Sequence, residues 1–83
     1  MIIYGLVKEI YVLNHYIRVS YGIVACANAA EEGSATIVAS ARDLTTDRTR
    51  MTELVALCNR LRLDPVHLSE VAEDFLQRPI LKG

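Results

Sequence analysis

The chain has 83 residues and a mass of 9.2 kDa, is 52% hydrophobic and 23% charged, and carries nine Lys+Arg against ten Asp+Glu. This size holds one domain with a small core, and the composition excludes a disordered tail, a coiled coil of charged heptads and a basic nucleic-acid arm. Ordering so short a chain offsets nearly all the gain from apolar burial, so a partner subunit often adds stability.

Residues 2–13 and 16–27 are rich in Ile, Val, Leu and Tyr and read as two strands. Asn14 and His15 break them and place a hairpin turn. With the turn centred there, Val12 faces Ile17, Ile10 faces Val19 and Leu6 faces Ile23. Alternation then puts these residues with Tyr21 and Ala25 on one face, expected to be the core. Lys8 falls on that face too, and is expected to snorkel to its rim. The opposite face carries Ile3, Val7, Glu9, Tyr11 and Leu13 from the first strand, and Tyr16, Arg18, Ser20 and Val24 from the second.

Asn28 to Gly33 reads as a loop, and residues 34–41 as a third strand in which Ala35, Ala39 and Ala41 suit close packing under a helix. Thr45-Thr46-Asp47 opens a first helix, with either Thr as cap and Asp47 complementing the positive helix end. Met51, Leu54, Val55, Leu57, Cys58 and Leu61 recur at helical spacing, and Arg60 and Arg62 close the last turn. Asp64-Pro65 starts a second helix, Asp64 as cap and Pro65 in its first position. Leu68, Val71, Ala72, Phe75 and Leu76 form its apolar stripe. Pro79 ends it, leaving a frayed tail over 79–83.

The predicted fold is therefore α+β: a three-stranded antiparallel sheet in the order β-β-β-α-α, with two C-terminal helices packed on one face. The whole chain, 1–83, forms a single domain, with antiparallel strands within 2–41 and two helices within 46–77.

Cys26 and Cys58 stand far apart without a Cys-x-x-Cys or Cys/His cluster, and read as reduced, buried small hydrophobes of a cytoplasmic protein. Ile23-Val24-Ala25-Cys26 imitates a lipoprotein cleavage box, but Lys8, Glu9, His15 and Arg18 interrupt the apolar run that a signal peptide needs. No window approaches the apolar length of a membrane span.

Several of these pieces, in this order, resemble a family of small uncharacterised proteins of Gram-positive, clostridia-like bacteria, known only as a domain of unknown function. They are Tyr21-Gly22-Ile23, Thr45-Thr46-Asp47, Leu57-Cys58-Asn59, Pro65 with His67-Leu68, and Val71 with Glu73-Asp74-Phe75-Leu76. The likeness covers residues 21–76 and is strongest in the helical half. It implies a cytosolic bacterial protein and assigns no catalytic or binding residue.

No constellation points to catalysis, a cofactor or a resident metal. Ser20, Ser34, Ser40 and Ser69 lack a Gly-rich elbow, Cys58 sits in an apolar stripe, and the four glycines form no phosphate-binding loop. His67, Glu70 and Asp74 share one side of the second helix, but the outer two lie two turns, about 10 Å, apart. They read as a solvated flank.

The opposite sheet face is the strongest lead, since contiguous apolar patches mark interfaces. Ile3, Val7, Tyr11, Leu13, Tyr16, Arg18 and Val24 are the expected contact residues of a homodimer joined through the first hairpin. The expected function is a non-enzymatic protein-interaction or regulatory module. The alternative is a small nucleic-acid-associated protein that uses a basic first helix with Arg48 and Arg50, and Tyr11, Tyr16 and Arg18 as a stacking platform. The net charge of -1 argues against tight phosphate binding.

Overall fold

A computed structural model describes residues 1–29 and 34–77. Strands β1 (Ile2–Leu13), β2 (Tyr16–Ala29) and β3 (Ser34–Thr45) form an antiparallel sheet in the order β1-β2-β3. Helices α1 (Arg48–Leu61) and α2 (Leu68–Gln77) follow. Both pack on one face, hereafter the inner face, α1 chiefly against β1 and β2, and α2 against β3. The α+β reading of the sequence is what the chain adopts.

The register of the hairpin is the one the Asn14-His15 break sets: Val12 pairs Ile17, Ile10 pairs Val19 and Leu6 pairs Ile23. Asn14 has φ 54°, a left-handed conformation that Asn tolerates because its short side chain can satisfy local backbone groups. Strand β2 runs on through Asn28 and Ala29, which the sequence pattern assigns to a loop. The frayed tail expected over 79–83 lies outside the described residues.

The core is Tyr4, Ile23 and Ala25 from the sheet with Met51, Leu54, Cys58, Leu68 and Ala72 from the helices. Leu6, Tyr21, Ala39 and Ala41 pack around it. One expectation fails here. Ile10, Val12 and Ile17 lie on the inner face but are 60%, 70% and 73% exposed. The pattern identifies the face correctly, yet the helices do not reach its far end.

Strand β3 continues four residues beyond the predicted 34–41, to Thr45. The reason is an irregularity: Tyr21 pairs Thr45 while Ile23 pairs Ala41, so Gly22 alone faces Arg42, Asp43 and Leu44. Asp43 takes φ 55° there. A Cβ on Gly22 would meet the Ala41 carbonyl oxygen at 2.5 Å and the Arg42 Cα at 2.7 Å, so only glycine fits. The bulge returns Leu44 to the core side.

The N-cap of α1 is Asp47 rather than a threonine: its carboxylate accepts from the Arg50 amide at 3.1 Å. Thr45 Oγ1 accepts from the Asp47 amide and shapes the turn before it. The helix ends with Arg62 at φ 53°, while the Leu63 amide donates to Cys58 and the Arg62 amide to Asn59. This is the Schellman arrangement, achieved without glycine. As the sequence predicts, Asp64 caps the next segment and Pro65 opens it, first as a 3-10 turn over Pro65–His67.

Candidate functional site

No described helix packs on the outer sheet face. All seven residues expected at an interface share it, because β1 presents its odd positions and β2 its even positions there. Their exposure differs. Ile3, Leu13 and Tyr16 are 49%, 62% and 75% exposed, whereas Val7, Tyr11 and Val24 are half-buried among their strand neighbours. Ile37 of β3, opposite Cys26, extends the apolar surface at the end near Ile3. Cys26 is half-buried, not fully buried as expected, because it faces the side that the helices leave open.

The middle of this face is polar. The Arg18 guanidinium donates to Asp43 at 3.0 Å, and the Ser20 hydroxyl donates to the same oxygen at 2.6 Å. Arg42 donates to Glu9 at 3.3 Å, and the Tyr11 hydroxyl donates to the other Glu9 oxygen at 3.0 Å. Arg18 lies 6.0 Å from the Tyr11 ring centroid. The hydrogen bond to Glu9 raises the Tyr11 phenol above its ordinary value. Ser20 is fully buried. Sequence reasoning missed this cluster because Asp43 enters it only through the bulge, and no local pattern announces a left-handed Asp.

It also missed a clamp at the other end. Asn59 Oδ1 accepts from the Tyr4 amide at 2.8 Å, and Asn59 Nδ2 donates to the Tyr4 carbonyl at 3.0 Å. One side chain therefore satisfies both outward backbone groups of an edge-strand residue. The Tyr4 hydroxyl donates to the Leu63 carbonyl at 2.6 Å. Burial, with smaller contributions from Cys58 and Asp64, raises the Tyr4 phenol pKa. Burial likewise pushes the Cys58 thiol up, the state of an inert thiol.

His67, the last residue of the 3-10 turn before α2, has its Nδ1 3.6 Å from Glu70 in the first turn of α2, both exposed. Among the described residues, no group of three or more His, Cys, Asp or Glu is placed to hold a metal ion. An open cleft of about 710 Å³ lies between the start of β1 and the turn after α1, lined by Ile2, Asn59, Arg62 and Pro65 among others. A smaller one of about 390 Å³ separates α2 from β3 at Ala41, Leu44 and Leu76. No described helix is long and apolar enough to cross a membrane.

This sheet-and-helix-pair domain belongs to a family of unknown function, DUF6514, whose model matches residues 1–78. No curated protein and no solved structure matches the chain. Three of the short segments singled out in the sequence have structural roles. Gly22 admits the β3 backbone, Asn59 clamps Tyr4, and the Phe75 carbonyl accepts from Arg50 at 2.6 Å, joining the two helices.

Proposed function

We propose that this protein is a cytosolic bacterial protein-interaction or regulatory module, non-enzymatic, that self-associates through its sheet. The observation that carries the reading is that, among the described residues, six of the eleven exposed large apolar side chains lie on one unit, the first hairpin: Ile3, Ile10, Val12, Leu13, Tyr16 and Ile17. Such a concentration on one supersecondary unit is the mark of an interface rather than of scattered surface residues. Two free cysteines on opposite sides of the sheet suit a reducing compartment.

The nucleic-acid reading has less support. Arg18 and Arg42, the cations of the outer face, are each occupied by a carboxylate. Light scattering of the purified chain, at low and high salt, tests the proposal. A dimer that persists in high salt is expected, because an apolar contact is not screened. A monomer at every concentration and salt overturns it.

A further inference from the structure

We propose that a second copy of this chain covers the inner face of the hairpin end, the face of Ile10, Val12 and Ile17, so that two hairpins pack face to face. This rests on the self-association proposed above and names its surface.

Beyond Tyr21, β2 has no third strand beside it, since its pairing with β3 covers only Tyr21–Ala29. Lys8–Leu13 and Tyr16–Ser20 are thus a two-stranded ribbon that projects past both β3 and the helices. A ribbon of two strands is marginal in water by itself. The middle of its outer side is tied down by the Glu9, Tyr11, Arg18, Ser20 and Asp43 cluster, whose polar groups are already paired, which leaves the Leu13–Tyr16 pair at the tip as its exposed apolar part. Its inner side carries Ile10, Val12, Ile17 and Val19, with Val12 directly opposite Ile17 and the exposed, charged Lys8 at its base.

Each largely exposed Ile or Val offers on the order of 100 Å² of apolar area, so the three from each copy contribute roughly 600 Å² in a pair. Homodimer interfaces are about 65% apolar, which scales this to roughly 900–1,000 Å² in all. That falls below the roughly 1,200 Å² at which specific, stable interfaces begin, so a weak dimer that dissociates on dilution is the expected result.

A second ribbon fits better than a helix or a peptide added at the edge. The helical layer stands on the inner face next to the ribbon, and a second sheet packs at about the same 10 Å spacing, so it fills the vacant half of that layer. Edge addition to β1 is blunted twice, by the Asn59 clamp on Tyr4 and by exposed Lys8.

The experiment compares two double variants of the full chain by light scattering across a range of concentrations, with circular dichroism to establish folding. Ile10→Asp with Ile17→Asp alters the inner face; Val7→Asp with Val24→Asp alters the outer face. A second measurement uses Val12→Cys in a Cys26→Ser background, oxidised mildly, with Leu13→Cys as the outer-face control. We expect the wild type to dimerise, the inner-face variant to be a folded monomer, the outer-face variant to remain a dimer, and Val12→Cys alone to cross-link into a covalent dimer. A wild-type dimer broken only by the outer-face changes, or a dimer in which Val12→Cys does not cross-link, overturns this inference while self-association stands. A monomeric wild type overturns both. Should the inner-face variant not fold, the cross-link decides.

Discussion

Replacing Asn59 by alanine removes both hydrogen bonds to the Tyr4 backbone, at 2.8 and 3.0 Å. Tyr4 is only 3% exposed, so its amide and carbonyl recover little from water. Each bond contributes about 1 kcal/mol net, and alanine returns about 0.5 kcal/mol of helix propensity at a site in the last turn of α1. The expected loss is about 1.5 kcal/mol, a fall in Tm of roughly 6–12 °C for a chain this short. Thermal unfolding followed by circular dichroism measures it.

Asn59→Asp sharpens the test. An aspartate accepts from the Tyr4 amide as asparagine does, but sets a second oxygen against the Tyr4 carbonyl. Only the protonated acid can donate there, so the folded state raises the pKa of the introduced carboxyl. A group raised in the folded state contributes stability that is present at low pH and lost as pH rises through its folded pKa. Asn59→Asp should therefore approach the wild type near pH 4 and fall below Asn59→Ala at neutral pH, where a carboxylate also opposes the helix dipole. A Tm of Asn59→Ala within about 1 °C of wild type, far below the shift that 1 kcal/mol produces, refutes the clamp. So does an Asn59→Asp variant more stable at pH 7 than at pH 4.

Gly22→Ala should cost about 3 kcal/mol, because the new methyl meets backbone at 2.5 and 2.7 Å and no side chain can move aside; chemical denaturation reads it. Stability should fall on the alkaline side: Cys58 and Tyr4 are raised from 9.0 and 10.0, so their contributions are complete below those values and are lost as pH climbs through the folded pKa values. Tyr4→Phe should weaken that alkaline dependence and, by leaving the Leu63 carbonyl without its donor, cost about 1 kcal/mol. An aromatic disulfide reagent should label Cys26 in the folded chain and Cys58 only after unfolding; equal labelling rates would contradict the burial of Cys58.

Periodicity made the sheet register and the helical stripes legible. Alternation from Asn14-His15 is local and strict, so the partners of Val12, Ile10 and Leu6 follow from counting. Asp64-Pro65 is likewise a local signal, and it starts the segment the structure shows. What alternation cannot state is how far a covering layer extends. Ile10 and Ile17 satisfy the pattern of a core strand as well as Ile23 does, yet only Ile23 lies under the helices. The bulge at Asp43 and the reach of Asn59 to Tyr4 depend on contacts many residues apart in sequence, for which a single chain carries no periodic trace. The seven expected interface residues share their face by register, but the aliphatic surface left over at the hairpin end lies partly on the other side.

Lys8 bears on what prevents this surface from assembling without limit. It lies on β1, an edge strand, exposed on the same face as Ile10. By the period of the clamp at Tyr4, the backbone groups of Leu6, Lys8, Ile10 and Val12 also point to the open edge. An aliphatic edge of that length would accept another β1 and extend the sheet, whereas a buried ammonium opposes it. Lys8→Val should thus leave the fold intact and shift the chain from dimers toward larger, concentration-dependent assemblies, read by size-exclusion chromatography with light scattering. Lys8→Arg should not. If Lys8→Val keeps the wild-type mass at the highest concentrations, the charge does not guard the edge, and face packing of the hairpin alone must account for the limit on assembly.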